Sequence, residues 1–125
     1  MLNTTKVSVL MTVFNTDFFY TKRAIDSVLH QDFQDFELII IDDGSKGNDR
    51  ELLMDYIEKN EDKISYIRHS NRGQSESINR GVLYSLGEYI TMIDSDDEYK
   101  QNHLSSCLME INDLDLICST SETIV

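Results

Sequence analysis

The sequence predicts an α/β fold: a mostly parallel sheet with flanking helices. Three observations carry this. Strand-like and helix-like runs alternate four times along the chain. The strand-like runs are almost continuously apolar and rich in β-branched residues, as in strands covered on both faces. Acidic residues gather where two of those runs end. Such alternation favours parallel strands joined by right-handed crossovers.

The elements follow in order. KVSVLMTVF (6–14) reads as the first strand. Residues 20–31 set Ala24, Ile25, Val28 and Leu29 at helical spacing. FELIIID (36–42) is a second buried strand. Asn48 and Glu51 have the spacing of a capping box, before a helix bearing Leu52, Leu53, Tyr56 and Ile57. ISYIRH (64–69) is a short third strand. Next, Ile78, Val82 and Leu86 recur every four residues, and Gly87 is placed as a helix C-cap. EYITMID (88–94) is the fourth strand. Leu104, Cys107, Leu108 and Ile111 make an apolar stripe over 102–111, and LDLICSTS (114–121) reads as a last strand.

Length and composition bound the function. A chain of 125 residues, 40 % apolar and 27 % charged, makes one globular domain, 1–125, with a modest core. Acidic residues outnumber basic ones 23 to 11, for a net charge of −12. That argues against direct duplex binding, which needs a cationic face, and means that any phosphate ligand needs a local cation. Cys107 and Cys118 lack zinc spacing and read as buried reduced thiols. His30, His69 and His103 show no ligand spacing and read as solvated or partly packed. The N-terminus lacks a signal-peptide charge pattern, and no run approaches the ~18 apolar residues of a membrane span. A cytoplasmic location is expected.

In parallel α/β sheets ligands bind beyond the carboxyl ends of the strands. Here those ends are Thr12-Val13-Phe14-Asn15, Asp42-Asp43-Gly44-Ser45 and Asp94-Ser95-Asp96-Asp97. A D-x-D triplet on extended backbone sets its first and third carboxylates on one side. Such a pair suits Mg²⁺ or Mn²⁺, which fill their remaining positions with water and substrate phosphate. An isolated D-x-D more often turns the chain or caps a helix. This one follows a buried strand and shares a rim with a second acidic strand end, which favours the metal. DDGS alone is a turn signal, though its carboxylate is equally placed to accept from a nucleobase or ribose. G-x-G-x-x-G and G-x-x-x-x-G-K-[ST] are absent.

Taken together, VSVLMTVFN, FELIIIDDGS, NRGQSESINRGVLYSLGEYI and MIDSDDEY resemble, in order and spacing, the inverting family 2 glycosyltransferases of the GT-A fold. The resemblance covers about residues 6–110. It implies a Rossmann-like nucleotide-binding half with strand order starting 3-2-1-4. It implies sugar transfer with inversion from a nucleotide-diphosphate donor, a UDP-sugar, to a carbohydrate or lipid-linked acceptor, dependent on Mn²⁺ or Mg²⁺. Thr12, Val13 and Asn15 would lie under the nucleotide; many members carry proline where Thr12 stands. Asp43 resembles the acid that hydrogen-bonds the base. Asp94 resembles the acid near ribose and metal, and Asp96 the direct metal ligand, with Asp97 sharing or replacing that role. Asn71–Gly73 and Asn79–Gly81 resemble the family's paired N-x-G, read as helix-entry geometry beside the donor, with Arg72 on the diphosphate.

Members carry a second half with the acceptor pocket and a general base. No residue of 1–125 resembles that base, so the chain is expected to be the donor-binding half, with no catalytic residue of its own. The fourth strand would then keep an open edge, which invites self-association. A place in polysaccharide biosynthesis rests on family analogy alone. A haloacid dehalogenase-type domain places its D-x-D after the first strand, and a receiver domain wants an acidic pair where this chain has MTVFN. The alternative is a non-catalytic nucleotide- and metal-binding or interaction module.

Overall fold

The computed structural model describes residues 5–60 and 62–117. The elements are β1 (Thr5–Val13), α1 (Phe18–Leu29), β2 (Phe36–Asp42), α2 (Asn48–Glu58), β3 (Ile64–Arg68), α3 (Gln74–Tyr84), β4 (Gly87–Asp94) and α4 (His103–Ile111). The four strands form one parallel sheet in the order β3-β2-β1-β4. That is the expected order.

The alternation of side chains across the sheet explains the two cores. Val7, Val9, Met11 and Val13 of β1, with Leu38 and Ile40 of β2, pack under Ala24, Ile25 and Val28 of α1, Leu53 and Ile57 of α2, and Leu104 of α4. The intervening residues Leu10, Ile39 and Ile41 face the other way, against Ile78 of α3. Both faces of the two central strands are therefore covered, which is why they read as unbroken apolar runs. The register places Val13 opposite Asp42 and Thr12 opposite Asp94. The carboxyl ends of β1, β2 and β4 therefore stand level.

Six expectations are corrected. Asn48 and Glu51 form no capping box: α2 starts at Asn48 itself, and its N-cap is Gly47 with no side-chain cap bond. Asn48 is already in the first turn, so its side chain is not at the capping position. Gly87 is not a helix C-cap; it opens β4 opposite Thr5, and α3 is capped by Ser85. The core face of α3 is set by Ser77 and Gly81, with Ile78, while Val82 and Leu86 are exposed. A Cβ at Gly81 would lie 2.8 Å from the Ile41 Cδ1 atom, so a small residue lets the helix sit close on the sheet. Asn79–Gly81 accordingly lies inside α3, and only Asn71–Gly73 stands at a helix entry. Finally, residues 114–117 are not in a strand; the rest of the expected last strand, with Cys118, lies outside the described residues. Cys107 is only partly buried.

On the α3 side of the sheet Leu83, Leu86, Ile90 and Met92 are exposed. No helix among the described residues is long and apolar enough to cross a membrane.

Candidate functional site

The loops that leave the strands tie each other down. Asn15, held at φ +51°, donates its backbone N–H to Ser45 Oγ at 2.8 Å, and its own Oδ1 accepts from the Lys46 N–H at 3.1 Å. Asparagine tolerates this left-handed backbone better than most residues. Thr16 Oγ1 and Ser95 Oγ, 2.6 Å apart, join the loops after β1 and β4. Gln74, the first residue of α3, donates to Asp94 Oδ1 at 3.2 Å. From α1, Arg23 makes a two-pronged contact with Glu98, at 3.1 and 2.8 Å, holding the segment after the D-x-D.

These loops enclose a cleft of about 400 Å³ lined by Thr12, Val13, Phe14, Thr16, Asp43, Asn71, Gly73, Gln74, Ser77, Asp94, Ser95 and Asp96. A neighbouring hollow of about 460 Å³ is lined by Phe14, Asn15, Gly44, Lys46, Arg68, Ser70 and Asn71. Phe14 stands between them, 48 % exposed.

At the end of β2 the charge is internally bound. Asp42 is fully buried; its Oδ1 accepts the Ser45 N–H at 2.8 Å and its Oδ2 the Tyr66 hydroxyl. Burial, then that hydrogen bond, pushes the Tyr66 phenol up to about 12. Asp43 is 5 % exposed and takes four donors. Oδ1 accepts from Arg72 N–H at 2.8 Å and lies 2.9 Å from His69 Nε2. Oδ2 accepts from Gly73 N–H at 3.0 Å and Asn71 Nδ2 at 3.3 Å. Burial raises the Asp43 pKa, but the Arg72 and Gly73 amides and His69 outweigh it, and the carboxyl falls below its ordinary value.

At the end of β4 the charge is open. Asp94, Asp96 and Asp97 are all exposed, and one oxygen from each lies within 4.8 Å of the others. Desolvation first, then repulsion from Asp94 and Asp96, raises the Asp97 pKa. Three convergent hard oxygens with unbalanced charge fit a divalent cation of the Mg²⁺ or Mn²⁺ kind.

Five of the expected residues thus share one cleft: Thr12, Val13, Asp43, Asp94 and Asp96. Asp97 joins through the carboxylate cluster. Asn15 lines only the neighbouring hollow. Arg72 lines neither; it enters through its backbone N–H, and its exposed guanidinium has no partner among the described residues. Sequence reasoning missed His69, which is 7 % exposed and bound to Asp43, not solvated. Phe14 was placed only as part of the strand end Thr12–Asn15, and Gln74 was not singled out. Position at a strand end or helix start was the available signal for all three.

Sheet and rim together define a Rossmann-like α/β unit with its ligand cleft at the strand ends. Comparison with known proteins narrows this. Residues 8–124 match the model of glycosyl transferase family 2. An uncharacterized glycosyltransferase of Nostoc sp. is 38 % identical over 99 residues, covering 79 % of this chain and 30 % of its own. The GalNAc(5)-diNAcBac-PP-undecaprenol beta-1,3-glucosyltransferase of Campylobacter jejuni is 34 % identical over 110 residues, 86 % of this chain and 35 % of its own. Among solved structures, S. aureus TarS 1–349 in complex with UDP-GlcNAc superposes with TM-score 0.75 at 24 % identity, over 86 % of this chain and 31 % of that one. The Pyrobaculum calidifontis mannosyltransferase PcManGT, in complex with GDP-Man and Mn²⁺, gives 0.76 at 17 % identity, over 87 % and 33 %. The chain belongs to glycosyl transferase family 2. It spans about a third of the length of these two curated relatives.

Proposed function

We propose that residues 1–125 form the donor-binding half of an inverting glycosyltransferase that takes a nucleotide-diphosphate sugar, a UDP-sugar, with Mn²⁺ or Mg²⁺. The observation that carries this is the convergence of Thr12, Val13, Asp43, Asp94 and Asp96 on one cleft at the sheet's carboxyl rim. In this reading the acceptor pocket and general base belong to sequence outside these residues, and the acceptor is a carbohydrate or lipid-linked sugar. The full protein would act on the cytoplasmic side, in polysaccharide assembly.

The roles divide by chemistry. Asp43, kept ionised, can only accept, so it suits a base that presents an N–H. Uracil and guanine do so; cytosine presents an acceptor at the equivalent ring nitrogen. The donors in the two solved relatives, UDP-GlcNAc and GDP-Man, both carry such a base. Phe14 offers an exposed ring face for stacking. Asp94, Asp96 and Asp97 would hold the cation. When bound, that cation supplies charge stabilisation for the departing nucleoside diphosphate. Arg72 adds a cation of the chain's own beside the diphosphate.

Calorimetric titration tests this directly. UDP should bind with Mn²⁺ present and lose at least about tenfold in affinity when the metal is chelated, because the bridge between acids and diphosphate is gone. Asp96→Asn should remove most of that metal dependence. CDP should bind more weakly than UDP. Equal UDP binding with and without metal would sink the bridged-diphosphate reading. CDP binding as tight as UDP would sink the role of Asp43.

A further inference from the structure

We propose that His69 is a positioning residue for donor binding, acting through Asp43. The proposal rests on the reading of the cleft as the donor site.

His69 follows β3 and continues its ladder, its backbone N–H donating to Asp42 O at 3.1 Å. The ring is buried between the end of β2 and α3. Nε2 lies 2.9 Å from Asp43 Oδ1 and 3.0 Å from Ser77 Oγ. An ionised carboxylate only accepts, so Nε2 carries the shared hydrogen, and the tautomer is assigned by its neighbour. Nδ1 is buried without a partner among the described residues. A buried polar atom left unpaired is unfavourable, so the ring is not held there by its own hydrogen-bond balance. What the placement secures is the orientation of Asp43.

With Oδ1 pinned by His69 and the Arg72 N–H, the carboxylate plane is fixed, and Oδ2 meets the Gly73 N–H at 3.0 Å. This fastens the turn that opens α3 against the cleft. The remaining bond, from Asn71 Nδ2, is the longest of the four at 3.3 Å. It is the one that an incoming base N–H can replace, because the other three hold the carboxylate still. Close packing supports the same seat: the loop after β2 approaches residues 69–71 so tightly that a Cβ on Gly44 would lie 2.9 Å from Asn71 N.

Three chains are compared: the parent, His69→Leu, which keeps bulk without a donor, and His69→Gln, whose amide nitrogen reaches the position of Nε2. Far-UV circular dichroism monitors folding. If His69→Leu does not fold, His69→Asn, too short to reach Asp43, replaces it. Amide exchange at Arg72 and Gly73 is read without ligand; UDP affinity is read with Mn²⁺, and Mn²⁺ affinity separately. In His69→Leu, both amides should lose protection, and UDP should bind about 10–100-fold more weakly, the range for losing one charge-assisted hydrogen bond. Mn²⁺ affinity should not change, and His69→Gln should restore protection and most of the affinity. Unchanged UDP binding in His69→Leu overturns the proposal, even if protection is lost, since the role is then structural only. A Gln variant no better than Leu also overturns it. A parent that binds no UDP overturns the donor reading itself, and the positioning role falls with it. Failure of the inference alone shows only in variants of a parent that does bind.

Discussion

Two acidic strand ends share one rim in opposite physical states. At the end of β2, Asp43 is buried and receives four donors, two of them backbone amides from the turn before α3. At the end of β4, Asp94, Asp96 and Asp97 are exposed and face one another. The first carboxyl is pulled below its ordinary value by its donors; Asp97 is pushed above its own by partial desolvation and by Asp94 and Asp96. Counting acids in a motif therefore does not assign their work. Available donors decide whether a carboxylate organises the protein or waits for a cation. On this contrast, neutralising Asp43 should damage the fold and neutralising the β4 cluster should not.

The largest break is expected from Asp43→Ala. It removes the acceptor of the Arg72 and Gly73 amides in a partly buried setting and leaves His69 Nε2 with only Ser77 Oγ. Stranded donors of this kind are unfavourable by about 1–3 kcal/mol each, with partial relaxation, so a loss on the order of 3 kcal/mol should appear in urea denaturation. Acid should show the same bond. A carboxyl with a depressed folded pKa gives stability that is fully present above its unfolded value, near 3.8, and is lost as pH falls through the folded value. The parent should lose an increment of stability below pH 3.8 that Asp43→Ala has already lost. Parallel acid curves for the two would contradict the assignment.

A smaller effect should follow from Gly44→Ala. Gly44 sits at φ +95°, and the added Cβ would meet Asn71 N at 2.9 Å and His69 O at 3.3 Å, both backbone atoms that cannot swing aside. Strain of this type amounts to about 1–3 kcal/mol. It should weaken UDP binding more than Mn²⁺ binding, because the turn that moves carries Asp43's donors and not the β4 acids. A melting temperature equal to the parent's would show that the loop yields freely.

Much of this was legible in the sequence, for physical reasons. Four apolar runs separated by helical spacing fix strands and crossovers, and the strand ends fix which residues reach the rim. Less was legible where tertiary contact decides. His69 has no periodicity to mark it; its role exists because β3 ends beside β2 and its ring meets Asp43. The α3 stripe was misread because Ile78, Val82 and Leu86 outweigh Ser77 and Gly81 by hydrophobicity, yet the sheet's close approach selects the small residues. The capping box at Asn48 failed by one residue, since Gly47 takes the cap position. The two acidic clusters looked alike in sequence because neither reveals its donors.

The smallest effect sharpens the contrast most. Asp97→Asn removes one of three mutually repelling charges at an exposed strand end and breaks no ion pair among the described residues. Without a cation the variant should be as stable as the parent or slightly more so, by about 1 kcal/mol or less, since exposed like charges are well screened. Adding Mn²⁺ should reverse the order. A ligand that binds only the folded chain raises its stability in proportion to affinity, so the parent's melting temperature should climb with Mn²⁺ more than the variant's. The crossing of the two curves is the informative quantity. A common structural fault would shift the variant downward at every metal concentration, whereas loss of a metal ligand alone changes only the slope. An Asp97→Asn chain that is already destabilised without metal, to the degree of Asp43→Ala, would show that the β4 acids hold the fold as Asp43 does, and the contrast between the two strand ends would be lost.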